Sequence, residues 1–138
     1  MIQIDINPWA VLVAAILNMT IGALWYAPFL FGGIWVKALS ERDRDTDKLR
    51  KNAHTSHIVA LLGALLSSFV LAHFVDYVGA TTALAGMQVG LWCWLGFVVA
   101  TAITSTLYEG RSKKLYFLNI GYYFIAFLVM GAVLAVWV

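Results

Sequence analysis

The last 24 residues of the chain, at 115–138, read LYFLNIGYYFIAFLVMGAVLAVWV and contain no charged residue. Three further uncharged stretches precede them, of 31, 24 and 32 residues, at positions 6–36, 52–75 and 77–108. The hydrocarbon core of a bilayer is about 30 Å thick, and about 20 helical residues cross it. Each stretch is therefore long enough to cross once and too short to cross twice, so the sequence predicts four membrane spans.

The composition agrees with a membrane protein. Of the 138 residues, 62% are hydrophobic and only 12% are charged, and the mean hydropathy is +0.85. These values exclude a disordered chain and an ordinary soluble globule. Because backbone polar groups must be paired in lipid and the strand pattern of a membrane barrel is absent, we predict an all-α, four-transmembrane-helix bundle that forms one domain over 1–138. The predicted spans are approximately 8–31, 53–75, 83–108 and 115–137.

The basic residues predict the orientation of this bundle. Six of the nine lie at 37–51 and three at 111–114, whereas the second connection and both termini contain none. Short basic connections stay on the cytoplasmic side, so both termini are predicted outside and the loop at 37–52 inside. The four acidic residues of that loop oppose its basic ones, which argues against a nucleic-acid partner.

The first predicted helix begins at Pro8 with Asn7 as its cap, and Pro28 interrupts it. Residues 29–39 are then either a kinked continuation or an interfacial segment. Asn18 and Gly22 share one side of this helix, and Asn18 is predicted near the membrane midplane. An unpaired amide there costs about 2–7 kcal/mol, so Asn18 requires either a bond to another helix or a water or solute path.

The third predicted span contains a GxxxG pair, Gly86 and Gly90, which favours close helix packing, as Gly22 does in the first span. At the spacing of a regular α-helix the same face continues toward the inner end. The further members of this face are Cys93, Phe97, Thr101, Thr104 and Tyr108.

The second predicted span carries His54 and His57 at its inner end and His73 and Asp76 at its outer end. The members of each pair share a face, but the pairs are about 24 Å apart and cannot form one site. Two ligands are too few for a closed zinc site, so His73 and Asp76 are metal candidates only if neighbouring helices or subunits complete the set. The alternatives are a solvated interfacial role for the inner pair and an ion-pair or helix-end role for the outer pair. No cofactor is predicted.

Polar and aromatic side chains concentrate toward the inner ends of the helices, which the topology brings to one level. We predict that these residues line a cavity or solute path: Asn18, Trp25, Tyr26, His57, Glu109 and Asn119. For Glu109 the alternative is an ion pair with Arg111 or with a basic residue of the first connection.

Several segments resemble a bacterial family of small four-span integral membrane proteins known only as a domain of unknown function. GALWYAPFLFGGIW at 22–35 fits the pattern GALWYxPxLFGxxW, and WLGF at 94–97 and LYEGR at 107–111 are the other motifs. The resemblance covers nearly the whole chain and implies the fold class and a multi-pass location in the bacterial cytoplasmic (inner) membrane. It names no substrate. Besides residues already introduced, the motif positions are Pro28, Gly32, Trp35, Trp94, Gly96 and Gly110.

The sequence contains no GxSxG, HExxH, phosphate-loop or CxxC motif and no paired intramembrane carboxylates, which favours a non-enzymatic role. The leading hypothesis is a small permease or channel-like subunit for a small solute or ion. Since one four-span bundle encloses little volume, we expect a parallel homo-oligomer that assembles through small-residue faces. The first alternative is a non-catalytic accessory or scaffold protein that binds another membrane component or lipid. The second is a haem or quinone redox protein.

The charge pattern gives a direct test of orientation. Reporter domains fused separately to the two termini should both be active only on the outer side of the membrane, because neither terminus carries a basic residue. A reporter inserted in the 41–51 segment should be active only in the cytoplasm. Termini that report opposite sides would contradict four spans, and termini that both report the cytoplasm would contradict the predicted orientation.

Overall fold

A computed structural model describes residues 3–40 and 52–137, so most of the predicted loop at 37–52 lies outside the described residues. The helices are α1 (Pro8–Trp25), α2 (Gly32–Ser40), α3 (Ala53–Val78), α4 (Ala83–Cys93), a π-helical segment (Trp94–Val99), α5 (Ala100–Tyr108) and α6 (Lys113–Val136). The stretch from Ala83 to Tyr108 is one continuous helix. Four helices are thus long and apolar enough to cross a membrane, which confirms the predicted all-α, four-span architecture. The chain is a multi-pass membrane protein.

Local sequence explains where the helices begin and end. The Asn7 side chain accepts a hydrogen bond from the Trp9 N–H at 3.0 Å, and Pro8 occupies the first turn, which confirms the predicted start of α1. Gly79 and Gly110 follow α3 and α5 with φ angles of 71° and 60°. Glycine has no Cβ to disfavour this left-handed conformation, so both residues end their helices cleanly.

The first helix ends at Trp25, earlier than the predicted limit near 31. A hydrogen-bonded turn follows, in which the Gly32 N–H donates to the Ala27 carbonyl at 3.0 Å. A Cβ at Gly32 would lie 2.4 Å from the Tyr26 carbonyl oxygen, so this turn requires glycine. Because the hydrogen bonds of this turn span three, five or six residues and not the four of an α-helix, α2 is a separate helix and not a kinked continuation of α1.

The buried core occupies only one half of the bundle. We call the end that contains both chain termini the terminal end, and the end that contains the first and third connections the loop end. The core residues lie in the terminal half: Ala10, Val11, Ala14, Leu71, Ala72, Val75, Ala80, Val89, Cys93, Met130, Leu134 and Ala135. Five of these twelve are alanine, whose short side chain lets helices approach closely. Such packing matters in lipid, where burial of apolar side chains gives no advantage over contact with lipid tails.

The closest helix contact joins α4 and α6 within this core. A Cβ at Gly86 would lie 2.0 Å from the Gly131 carbonyl oxygen, and one at Gly90 would lie 2.2 Å from the Phe127 carbonyl oxygen. Only glycine fits at these positions. Gly131 is not among the residues predicted from the sequence, although Ala135 four residues later completes a small-xxx-small pattern with it.

The predicted face of the third span does not continue past Cys93. Gly86, Gly90 and Cys93 are buried, whereas the rest of the predicted face is exposed: Phe97, Thr101, Thr104 and Tyr108. The π-helical segment explains this difference, since its wider turn adds about one residue and rotates the following helix by about 100°. The half-buried positions therefore shift by one or two residues and include Val98, Ala102 and Thr106.

At the loop end the helices separate. Every residue of α3 from His54 to Gly63 is exposed, and the first buried residue of this helix is Ala64. In the third span no described residue after Cys93 is buried. A stretch of helix that is exposed on all sides has no close neighbour among the described residues, so this part of the chain forms a bundle that is closed at its terminal end and open at its loop end.

The glycine contact between α4 and α6 leads to a stability prediction. We expect Gly86→Ala to lower the free energy of unfolding by about 1–3 kcal/mol, because the added methyl group meets backbone that moves only if the helices separate. Gly63→Ala is the matched control, since no heavy atom lies within 4 Å of its added Cβ. It should leave stability unchanged or raise it by up to about 1 kcal/mol. Unfolding in detergent measures both, and equal losses would contradict the close contact.

Candidate functional site

The open half of the bundle contains a groove of about 810 Å³ between α1 and α3, with α6 behind it. On the α1 side its lining includes Asn18, Met19, Gly22, Ala23 and Tyr26, followed by Ala27 and Pro28 of the turn. On the α3 side it includes His57, Val59, Ala60, Gly63, Ala64 and Ser67, and α6 contributes Tyr122 and Tyr123. The groove is therefore the space left where α3 moves away from α1.

The register of α1 and α3 is set by one buried hydrogen bond at the closed end of the groove. The Ser68 hydroxyl donates to the Val11 carbonyl at 2.8 Å, and Ser68 is fully buried. Because the two helices are antiparallel, Asn18 lies near the level of residue 61. Past this contact α3 presents mainly small side chains to α1, among them Ala60 and Gly63. Short side chains do not fill the gap, so the groove stays open.

Asn18 has the buried partner that its position requires. The residue is 3% exposed, and the Tyr122 hydroxyl donates a hydrogen bond to its Oδ1 atom. Within the described residues the Asn18 amide nitrogen has no partner, yet no fully buried side-chain polar atom there is left unsatisfied. The amide nitrogen therefore keeps some accessible surface, and Asn18 belongs to the groove lining. One end of this side chain bonds two helices, and the other end is a donor without a partner among the described residues.

Two aromatic residues at the end of α1 bond to consecutive residues of α6. The Trp25 indole N–H donates to the Leu118 carbonyl at 3.1 Å, and the Tyr26 hydroxyl donates to the Asn119 Oδ1 at 2.5 Å. Gly121 makes room for the indole, since a Cβ there would lie 3.0 Å from the Trp25 ring. Trp25 and Asn119 are thus beside the groove and not in its lining, and they fix the position of Tyr26, which does line it.

The third span bonds to the same turn of α6. The Trp94 indole N–H donates to the Ile120 carbonyl at 2.8 Å, and its ring packs edge-on against Phe124 with centroids 4.8 Å apart. Together with the bonds from α1, this makes three successive residues of α6 acceptors for aromatic donors. The WLGF motif therefore positions α6 behind the groove, while Gly96 has no heavy atom within 4 Å of an added Cβ.

The first motif, GALWYxPxLFGxxW, forms the turn and aromatic cluster at the loop end. Tyr26 packs against Trp35 with ring centroids 5.6 Å apart, and Trp25 packs against Phe31 at 4.6 Å. Pro28 lines the mouth of the groove. These contacts hold the start of α2 against the end of α1.

His57 lies at the loop end of the groove and is exposed. Its Nδ1 atom is 2.5 Å from the Ala53 carbonyl oxygen, one helical turn back. Since a carbonyl only accepts, Nδ1 is the donor of this bond, and in the neutral form of the ring Nε2 is then an acceptor. Asn18 and His57 therefore offer one donor and one acceptor to the same space.

Glu109 does not lie in the groove. It is exposed in the turn between α5 and α6 and forms an ion pair with Arg111, with Nε to Oε2 at 2.5 Å. This placement agrees with the alternative prediction for Glu109, an ion pair with Arg111. The structure thus brings Asn18, Tyr26 and His57 into one cavity and leaves Glu109 apart.

The other histidines occupy separate positions. His54 is exposed, and the His73 Nδ1 lies 2.8 Å from the Phe69 carbonyl oxygen while the two rings pack edge-on. Among residues 3–40 and 52–137, no ion pair joins His73 to Asp76, and no three His, Cys, Asp or Glu residues cluster as metal ligands. No third metal ligand from the described residues therefore lies beside His73 and Asp76.

Tyr122, Tyr123, Gly63 and Ser67 line the groove but are not among the site residues predicted from the sequence. Two signals identify such residues. Tyr122 follows Asn119 by three positions and so shares its helix face. The small residues of α3, including Gly63 and Ser67, recur at helical spacing and leave a shallow strip in an otherwise bulky helix.

Comparison with known proteins places the chain in a family. Residues 9–135 match the family model described as a protein of unknown function, DUF1761, and this match takes in all four spans. The chain belongs to the DUF1761 family. The resemblance found in the sequence is thereby confirmed. No curated protein and no solved structure matches the chain, so DUF1761 membership supplies a family and no activity.

The bond between Tyr122 and Asn18 leads to a prediction with an adjacent control. Tyr122→Phe should lower the free energy of unfolding by about 0.6–2 kcal/mol, the range for hydrogen bonds between membrane helices. Tyr123→Phe removes the same atom from a residue whose hydroxyl has no hydrogen bond within the described chain, and it should change stability little. Unfolding in detergent measures both variants. Equal effects would show that the hydroxyl of Tyr122 contributes nothing through Asn18.

Proposed function

We propose that this DUF1761 protein binds a small solute in the groove between α1 and α3 and acts as a small permease or channel-like subunit of the bacterial cytoplasmic membrane. One observation carries the proposal. A space of about 810 Å³, with a free amide donor at Asn18 and a free acceptor at His57, lies within a membrane-spanning bundle. Polar groups at membrane depth are costly to retain, and those without a partner suit a solute path.

The chemistry of the lining favours an uncharged solute over an ion. None of the described residues that line the groove is Asp, Glu, Lys or Arg. A dehydrated ion in such a groove has no opposite charge to compensate its lost hydration. Hydrogen bonds to Asn18 and His57, together with contacts to tyrosine rings, suit a neutral molecule.

Along the membrane normal, the described groove is open only toward the loop end. The terminal half is closed by contacts such as that of Gly86 with Gly131, where backbone meets backbone. Passage across the membrane therefore needs either separation of these helices or a path completed between subunits. The second route agrees with the parallel homo-oligomer expected from the sequence, and the charge pattern orients the open end to the cytoplasm.

A second candidate, an accessory or scaffold protein, is favoured by the exposed apolar surface of α3. Ile58, Val59 and Leu62 are each about 60% exposed along the separated part of this helix. Such a surface suits contact with a partner helix as well as with lipid. Flux measurements distinguish the two candidates, because a scaffold would bind without moving solute.

Accessibility of single cysteines tests whether the groove is hydrated. Cys93 is the chain's only cysteine, so a Cys93→Ser background allows cysteines to be placed one at a time. Ala60→Cys and Gly63→Cys should react with an impermeant maleimide from the cytoplasmic side. Leu62→Cys, beside Gly63 but outside the groove lining, and Ala14→Cys, in the core, should not react. No reaction at positions 60 and 63 would contradict a hydrated groove.

Flux tests the transport step. In proteoliposomes, the protein should speed osmotic swelling in small uncharged solutes such as glycerol and urea more than it speeds potassium leakage. Gly63→Leu should reduce swelling at least about tenfold, because the open space at Gly63 is part of the groove. Gly96→Leu adds the same side chain where there is also open space but no groove, and it should have little effect. Swelling rates equal to those of empty vesicles would contradict a transport function and favour the scaffold.

A further inference from the structure

We infer that the groove takes an uncharged, lipid-soluble ligand with a flat, oxygen-bearing head, of the quinone and quinol class, which enters sideways from the bilayer. This inference rests on the proposed function in that it uses the same groove, and it names the class of ligand. No step of electron transfer is implied. Four features of the groove carry the inference, namely its opening, its charge, its hydrogen-bonding groups and its shape.

The opening of the groove faces the bilayer. Its two sides are α1 and α3, both of which span the membrane, and α6 with Tyr122 and Tyr123 closes the back. No described residue of the third span lines it. Val59, at the edge on the α3 side, is 62% exposed. Among residues 3–40 and 52–137, this gap between two membrane-spanning helices is closed only from behind, so its open side faces lipid and a lipid-soluble molecule reaches it directly.

Because the described lining contains no charged residue, it favours uncharged lipid-soluble ligands over charged ones. A phospholipid or fatty acid brings a phosphate or carboxylate, which needs a lysine or arginine when it leaves water. The described lining has neither. A quinone head is uncharged and carries only carbonyl or hydroxyl oxygens. The groove accommodates it without leaving a charge unpaired.

The hydrogen-bonding groups suit a head with oxygen atoms at opposite ends. The Asn18 amide nitrogen donates to a carbonyl or hydroxyl oxygen, and the His57 Nε2 accepts from a hydroxyl. Since the Ser68 bond to Val11 places Asn18 near the level of residue 61, His57 lies about 6 Å further along the helix axis. The two side chains are thus offset along the groove, so they can bond to different oxygen atoms of one ring.

The shape of the groove suits a flat ring. On one side, Ala60, Gly63 and Ala64 present no side chain longer than a methyl group, and an added Cβ at Gly63 has open space around it. At the back, the rings of Tyr122 and Tyr123 lie with centroids 4.6 Å apart, and Tyr26 is 5.9 Å from Tyr122. Aromatic rings bind other flat rings by stacked or edge-on contact. A hydrocarbon tail would extend through the open side into lipid.

Equilibrium binding of tritiated decylubiquinone to the full-length protein in phosphatidylcholine nanodiscs tests the inference, with empty nanodiscs subtracted. We expect saturable binding of one molecule per chain. Gly63→Leu should weaken binding at least about tenfold, whereas Gly96→Leu should leave it unchanged. Binding no greater than in empty nanodiscs, or binding that Gly63→Leu does not affect, would overturn the inference.

A second pair of variants tests the acceptor without disturbing the core, because His57 is exposed. For the reduced, quinol form, His57→Phe should raise Kd about tenfold, and His57→Gln, which restores an acceptor, should recover part of the loss. Equal Kd values for all three proteins would exclude His57 from the site. Decylubiquinone binding without solute flux would support the ligand class and contradict transport. Flux that Gly63→Leu reduces, in a protein that does not bind decylubiquinone, would support transport and contradict the ligand class.

Discussion

The arrangement of this protein depends on the contact between the backbones of α4 and α6 at Gly86, Gly90 and Gly131. In water, burial of apolar side chains would hold four such helices together, but lipid is as apolar as leucine and removes that advantage. Close approach of backbones and a few hydrogen bonds must replace it. The glycines provide the approach at the terminal end, and nothing comparable occurs at the loop end of the described chain. The core is closed where these glycines let the backbones meet, and the groove is open where no such contact holds the helices together.

Hydrogen bonds from aromatic side chains are the second interaction that holds the helices together in lipid. Donors from α1 and from the third span bond to three successive residues of α6, Leu118 to Ile120, just where the close packing ends. An indole N–H or phenol O–H brings a large apolar ring together with one polar atom, so it bridges helices that are too far apart for glycine contacts. The two tryptophan-containing motifs are explained by this requirement. They keep the back of the groove in place while its front stays open.

The sequence predicted the fold well because hydrophobic length and charge placement act locally. The start of α1 at Pro8, the four spans and the packing role of Gly86 and Gly90 all follow from patterns within single segments. The groove was predicted only in part, since Asn18, Tyr26 and His57 come together but Glu109 pairs with Arg111 instead. Tyr122 shares a helix face with Asn119 but was not predicted as a lining residue, because its exposure to the groove depends on how far α3 moves from α1. The predicted buried face of the third span was wrong beyond Cys93. The extra residue in the π-helical turn rotates the rest of the helix, and composition does not reveal such a residue.

That surplus residue has a consequence for related chains. A relative that lacked one amino acid between positions 94 and 99 would keep the length and apolarity of a membrane span, and an alignment would show only a single gap. Its helix would nevertheless be regular throughout, and the side chains equivalent to Thr101 and Thr104 would turn from the lipid toward α6. Insertions and deletions at this point thus change which side chains face the lipid near the loop end, without altering the number of crossings.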